Sequence, residues 1–171
     1  FFADWADGFS SGEPVREPEG NSAFQDLLYI ITLESTAQME EAFGNPSMAV
    51  HYREVAAKIR DSFEEEYWDA SRGLYADTYG HDSFSQHVNS LAVLADVCKD
   101  EKAKDVMLKA LEDKSIIQTT IYFKYYLHQA LSRAGLGDLF LDQLQEWKNQ
   151  MTLGLSTWAE QPEPSRSDCH A

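Results

Sequence analysis

The sequence has little cysteine, few basic residues and no long apolar run, and each shortage excludes a class of protein. Two cysteines, Cys98 and Cys169, are too few for a disulfide framework or a four-ligand zinc site, and they leave the redox compartment undetermined. Only 14 basic residues stand against 29 acidic ones, so a net charge of −15 argues against nucleic-acid binding. The one aliphatic run, residues 27–33, falls well short of the roughly 20 apolar residues of a membrane span, which excludes a transmembrane role.

What remains is the composition of a globular domain. Of the 171 residues, 43% are hydrophobic and 12% are aromatic, which is enough apolar material for a core. The chain begins at Phe1 without a charged leader or a signal-type apolar segment, and it stops at Ala171 directly after a dense run of polar residues. We therefore expect residues 1–171 to be one partial domain of a longer protein, and the residues do not specify its localisation.

Apolar residues recur every three or four positions through most of the chain, as on one face of an α-helix. Residues 1–21 and 152–171 are instead rich in Gly, Pro and Ser and predict loops. Residues 69–83, where Asp and Gly alternate with aromatic residues, predict a short hairpin or an ordered loop. The helical spacing predicts six helices, over residues 22–43, 46–68, 83–98, 100–112, 119–134 and 137–151.

Short connections between these helices favour antiparallel neighbours and therefore three helical hairpins. Hairpins in series build either an open solenoid or a closed toroid. A solenoid repeats a fixed period, whereas these hairpins differ in length and are interrupted by residues 69–83. The sequence therefore favours an all-α fold of the closed type.

Both terminal loops carry residues that suit a binding site on a helical scaffold. The C-terminal loop holds Trp158, Glu160 and His170, and the N-terminal loop holds Asp4 and Trp5. Aromatic faces cover the apolar faces of sugar rings and carboxylates bind hydroxyls, so these residues suit carbohydrate recognition. Structural alternatives stay open: core packing for the two tryptophans, a helix or turn cap for Asp4, and a solvent-facing loop position for Glu160.

A more specific pattern lies in three stretches: Ala3-Asp4-Trp5, then Gly73-Leu74-Tyr75 ahead of Gln86 and Leu91-Ala92-Val93-Leu94, and finally Ser156-Thr157-Trp158-Ala159-Glu160 followed by Ser165-Arg166-Ser167-Asp168-Cys169-His170-Ala171. In these residues the sequence resembles the α-L-rhamnosidases of glycoside hydrolase family 78, and the resemblance extends across the whole chain. That family's catalytic domain is an (α/α)6 barrel of six helical hairpins. The resemblance implies that residues 1–171 form about half of such a toroid.

The resemblance also implies a role for each candidate residue. Glu160 would be the general base of an inverting glycosidase, the carboxylate that activates water on the face of the sugar opposite the leaving group. Trp5 would contact the sugar, with Asp4 beside it in the same site. Trp158 would be a wall of the pocket and His170 a polar contact to the substrate. The family's general acid belongs to an Arg- and Glu-rich motif that these 171 residues lack, so we expect the isolated chain to be inactive.

The predicted activity is hydrolysis of terminal α-L-rhamnosides, with a rhamnose-containing carbohydrate as the partner. Two alternatives stay open: a non-catalytic helical-hairpin module that binds a partner protein, and an (α/α)6 glycosidase that acts on another sugar. His81, Asp82 and His87 suggest a metal site, but no further ligand follows at a suitable spacing, so we predict neither a metal nor a cofactor.

The helix order predicts which segments meet. Three up-down hairpins return the chain to the end where it started, so the loops 1–7 and 152–171 should share one end of the helical array. The segments 69–83 and 113–118 should lie at that end too. Four polar residues at helix starts would then face the cavity: Gln86, His87, Thr119 and Thr120. The turns expected at the opposite end are 44–46, 99–100 and 135–137.

Overall fold

The computed structural model describes residues 2–159 and confirms the all-α fold class. Within that range the helices are α1 (Ala23–Phe43), α2 (Pro46–Tyr67), α3 (Gln86–Leu94), α4 (Asp100–Glu112), α5 (Lys124–Arg133), a 3-10 helix (Gly137–Leu144) and α6 (Gln145–Thr152), and the strands are β1 (Trp68–Asp69) and β2 (Leu74–Tyr75). Across residues 2–159, no helix is both long enough and apolar enough to cross a membrane.

The first hairpin, α1 and α2, has the predicted boundaries because local signals set them. Asn45 caps α2, its side-chain oxygen accepting from Ser47 N at 3.0 Å, and Pro46 occupies the first helical position. Leu27, Ile30 and Phe63 of this hairpin are buried in the core, where α1 packs against both α2 and α3. The predicted hairpin after α2 is also present, with β1 antiparallel to β2 and Trp68 paired with Tyr75.

Helix α3 is shorter than predicted at both ends. Ser83 and Ser85 each donate a hydroxyl hydrogen bond of 2.6 Å to the buried Asp77 carboxyl group. The extended Ser85 also caps the helix, its hydroxyl accepting from Val88 N at 3.1 Å, so that α3 begins at Gln86. At the other end, Asp96 has a positive φ of 60°, which takes the backbone out of the helix. The helix is nonetheless the centre of the molecule, since it packs against α1, α4 and α5.

The fifth and sixth helices also depart from the prediction. Thr119 and Thr120 do not open α5, because residues 121–123 form a turn and the helix begins only at Lys124. The backbone N–H groups of the two threonines donate to Gln86 and Asp4. The predicted sixth helix starts as the 3-10 helix and becomes α-helical only at Gln145.

Hydrogen bonds join several of the segments that were predicted to share an end, whereas the positions of the turn 44–46 and of the segment 152–171 relative to them stay predictions. At one end, Ala23 N donates to Asp77 O at 3.1 Å, and Ser85 forms a parallel bridge with Ile117. At the other end, Arg133 donates to Leu94 O at 3.0 Å and Arg60 donates to Ala95 O at 2.8 Å. The N-terminal residues 2–13 lie at the first end, which we call the loop end.

Candidate functional site

The N-terminal loop, residues 2–13, folds back on itself at the loop end. Ala3 N donates to Gly12 O at 2.7 Å, which closes the loop. Gly12 has a φ of +78°, and a Cβ atom at this position would overlap the Phe2 ring. Glycine is therefore required at position 12 for this conformation.

Asp4 connects this loop to two distant elements through a completely buried carboxyl group. Its Oδ2 accepts from His87 Nε2 of α3 at 2.7 Å and from Thr120 N at 2.8 Å. Its Oδ1 accepts from Trp5 N at 2.9 Å and from the Thr120 hydroxyl. Because the oxygen that faces His87 already accepts from Thr120 N, we assign the imidazole hydrogen to Nε2.

Trp5 lies beside this buried group and is half-buried itself. Its ring meets the Phe2 ring edge to face, with 4.8 Å between centroids, and Phe2 in turn meets Tyr122 at 5.4 Å. The indole Nε1 is buried and has no hydrogen-bond partner within residues 2–159. A buried N–H without an acceptor is rare in folded proteins, so this atom marks Trp5 as an unusual position of the loop end.

An apolar groove of about 320 Å³ adjoins Phe2, and we call it the aromatic groove. Tyr125, at its edge, is 64% exposed. Aromatic faces of this kind cover the apolar face of a sugar or another flat ligand. The residues that line the groove are Phe2, Ala3, Phe24, Leu28, Tyr122, Phe123, Tyr125 and Tyr126.

A second groove of about 330 Å³ is lined mainly by polar residues, and we call it the polar groove. Asp7 brings the N-terminal loop to it, and Glu146 brings α6 to it. Glu146 also pairs with Lys124 at 3.1 Å. The other lining residues are Lys114, Ile116, Ile117, Gln118, Thr119 and Thr120.

Of the four polar residues that were predicted to face the cavity, Gln86 and His87 lie in the core instead, and only Thr119 and Thr120, ahead of α5, line this groove. Gln86 and His87 are buried, and Gln86 Oε1 accepts from Thr119 N at 2.9 Å. Thr119 and Thr120 line the polar groove but use their hydroxyls internally, on Gln86 and Asp4 respectively. The bonds from Thr120 and His87 to Asp4 were not predicted, because the partners lie 116 and 83 positions away.

A second buried carboxyl group, that of Asp77, also lacks a local sequence signal. It accepts from Ser83 and Ser85, and burial raises its pKa above the usual aspartate value. The residues that suggested a metal site are separate here: His81 Nε2 contacts Glu66 O at 2.9 Å, whereas His87 bonds to Asp4. Within residues 2–159, no three His, Cys, Asp or Glu side chains are grouped to hold a metal ion.

The C-terminal loop folds against α6 as far as the structure describes it. Trp158 is half-buried, and Ala159 N donates to Oε1 of the buried Gln150 at 2.9 Å. Glu160 and His170 lie outside the described residues, so their roles stay predictions.

Comparisons with known proteins give one family and one fold. The family described as the bacterial α-L-rhamnosidase six-hairpin glycosidase domain matches residues 1–171. A solved rhamnosidase from Klebsiella oxytoca with rhamnose bound is similar to 99% of this chain, with a TM-score of 0.81 and 21% identity. The match covers 33% of that protein's chain, so the present chain spans about a third of its length. No curated protein matches the sequence. With the family match covering every residue, the chain belongs to the bacterial α-L-rhamnosidase six-hairpin glycosidases.

Proposed function

We propose that the chain supplies part of the active site of an α-L-rhamnosidase, an enzyme that hydrolyses terminal α-L-rhamnosides. Membership of the family and the fold shared with a rhamnose-bound rhamnosidase support the proposal. The observation that carries it is the placement of the half-buried Trp5 ring at the loop end, where it packs against Phe2, a residue that lines the aromatic groove.

Trp5 and its surroundings match the chemistry of rhamnose. This sugar is a 6-deoxyhexose, so it presents a methyl group and apolar C–H faces together with hydroxyl groups. An indole face packs against the apolar part and leaves the hydroxyl groups to polar side chains. In this proposal Trp5 binds the sugar, Trp158 forms a wall of the pocket, and His170 makes a polar contact.

In the proposed mechanism, Glu160 is the general base. Ionised Glu160 takes a proton from a water molecule, and that water attacks the anomeric carbon on the face opposite the leaving group. A second carboxyl group, about 6.5–9.5 Å from the first, protonates the leaving oxygen in such an inverting pair. The motif that supplies this acid in the family is absent from the 171 residues, so we place the acid in another part of the full-length protein.

Hydrolysis of an aryl α-L-rhamnoside by the full-length protein tests the proposal. Glu160→Gln keeps the shape of the side chain but cannot accept the proton, and we expect kcat to fall about 10²–10⁴-fold with rhamnose binding retained. Glu163→Gln is the matched control, because it makes the same change three residues away and should leave kcat within about twofold. A panel of other aryl glycosides distinguishes the sugar. Normal kcat in Glu160→Gln, or preference for another glycoside, would overturn the assignment.

A further inference from the structure

Three segments that are far apart in sequence meet at the Asp4 carboxyl group. His87 of α3 and Thr120, ahead of α5, both donate to it, and so does the backbone N–H of Trp5. The Asp4 side chain has no exposed surface. A buried group with four donors around it has little capacity left for a ligand.

We propose that Asp4, His87 and Thr120 are positioning residues that fix the orientation of Trp5, and that Asp4 does not itself contact the sugar. The inference rests on the proposed function, since it concerns how Trp5 is presented to the sugar. It replaces direct sugar binding by Asp4 with an effect that is transmitted through Trp5.

The chemistry of the four donors requires a carboxylate at position 4. Both Asp4 oxygens act only as acceptors, and each has two donors. An asparagine would have the same shape, but its NH₂ group would face two of those donors. At least one of the four hydrogen bonds would therefore be lost. The position of the Trp5 backbone therefore depends on a side chain that accepts hydrogen bonds at both of its terminal atoms, as a carboxylate does and an amide does not.

The two side-chain donors are themselves held in place. The His87 ring lies between the rings of Phe9 and Phe123, with centroid distances of 4.6 and 4.5 Å, and it has no exposed surface. Thr120 is 7% exposed, and its backbone N–H and its hydroxyl bond to different oxygens of Asp4. Because these donors are fixed and belong to separate elements, they hold the Asp4 carboxyl group in one orientation. The backbone N–H of Trp5 donates to the same carboxyl group, so its position is fixed as well.

The structure offers a matched set of variants. Thr120→Val removes the hydroxyl donor to Asp4 and keeps the side-chain shape, whereas Thr120→Ser keeps the donor. Thr119→Val is the control, because Thr119 is equally buried and its hydroxyl bonds to Gln86 instead of Asp4. Asp4→Asn tests the carboxylate itself.

The readout is ¹⁹F NMR of the full-length protein labelled with 5-fluorotryptophan, the Trp5 signal being assigned by its loss in Trp5→Phe. We expect Asp4→Asn and Thr120→Val to broaden or split this signal, and Thr120→Ser and Thr119→Val to leave it single. Rhamnose affinity, measured by calorimetry, should fall about tenfold in Asp4→Asn and Thr120→Val. In a Trp5→Ala background, Asp4→Asn should cause no further loss of affinity, because its effect acts through Trp5.

Each alternative gives a different result. An unchanged Trp5 signal in both Asp4→Asn and Thr120→Val would overturn the proposal. A further loss of rhamnose affinity on adding Asp4→Asn to Trp5→Ala would also overturn it, by showing direct contact between Asp4 and the sugar. If the wild-type protein bound no rhamnose while the Trp5 signal still responded to the variants, the proposed function would fail and the positioning of Trp5 would stand.

Discussion

His87 Nε2 lies 2.7 Å from Asp4 Oδ2, and both side chains are completely buried although 83 positions separate them in the sequence. This hydrogen bond connects the N-terminal loop to α3, the central helix. Since Trp5 follows Asp4 directly, the location of this tryptophan depends on the core of the domain and not on its own loop alone.

The Asp4 carboxyl group should contribute strongly to stability. Asp4→Ala removes the acceptor of His87 Nε2–H and Thr120 N–H, and donors left unpaired in the core cost about 1–3 kcal/mol each. We expect the free energy of unfolding, measured in urea, to fall by about 3–5 kcal/mol. The exposed Asp7 is the control, and Asp7→Ala should change stability by less than about 0.5 kcal/mol. An equal effect of the two substitutions would contradict the described network.

Gly12 should tolerate a side chain less well than Gly20. Both have a positive φ, of 78° and 100°, so alanine introduces backbone strain at either position. At Gly12 the added Cβ atom would also overlap the Phe2 ring. At Gly20 no atom lies within 4 Å of the added Cβ atom, so alanine there introduces the backbone strain alone. Thermal unfolding should therefore show a lower Tm for Gly12→Ala than for Gly20→Ala. Equal Tm values would show that the N-terminal loop is not closed in this way.

Burial of Asp77 should make stability depend on pH. The pKa of Asp77 is raised in the folded state, so folding favours its protonated form. As the pH rises above 3.8, Asp77 therefore ionises in the unfolded chain before it ionises in the folded protein. The stabilisation is fully present below 3.8 and is lost as the pH rises through the folded pKa. Asp77→Asn has no titratable group at this position and should lack this pH dependence. Urea unfolding at several pH values should therefore show that the wild-type protein loses stability relative to the variant as the pH rises. A constant difference would contradict the raised pKa.

The Cys98 thiol should be unreactive in the folded protein. It is 1% exposed, and burial raises its pKa to about 11. At pH 8 only about one Cys98 thiol in a thousand is then ionised, and the thiolate is the form that reacts. Alkylation followed by peptide mapping should label Cys98 slowly in the native protein and quickly in denaturant. Rapid labelling of native Cys98 would show that this part of the core opens.

Local sequence signals predicted the parts of the fold that local interactions determine. The cap at Asn45, with Pro46 after it, sets the start of α2, and both can be seen in the sequence. The start of α3 has one local signal, the Ser85 cap, whose hydroxyl accepts from Val88 N at 3.1 Å, but it also depends on the bonds from Ser83 and Ser85 to Asp77. Serine hydroxyls bond equally well to nearby backbone, so the sequence does not show that they reach this carboxyl group.

The candidate site was predictable to a similar extent. Trp5 and Asp4 could be selected because an aromatic residue and a carboxylate occur together in a loop and in a family motif. The burial of Asp4 could not be predicted, since the donors from His87 and Thr120 are brought to it only by tertiary packing. The roles predicted for Trp158, Glu160 and His170 stay predictions.

The stereochemistry of the first sugar released tests the central claim most directly. The full-length protein is mixed with an aryl α-L-rhamnoside, and ¹H NMR of the anomeric proton is recorded before the two anomers interconvert. An inverting rhamnosidase releases β-L-rhamnose first, because water attacks the face opposite the leaving group. We therefore expect the β anomer to appear before the α anomer. Initial release of α-L-rhamnose would contradict the role of Glu160 as a general base, and no release of rhamnose from any α-L-rhamnoside would contradict the proposed activity itself.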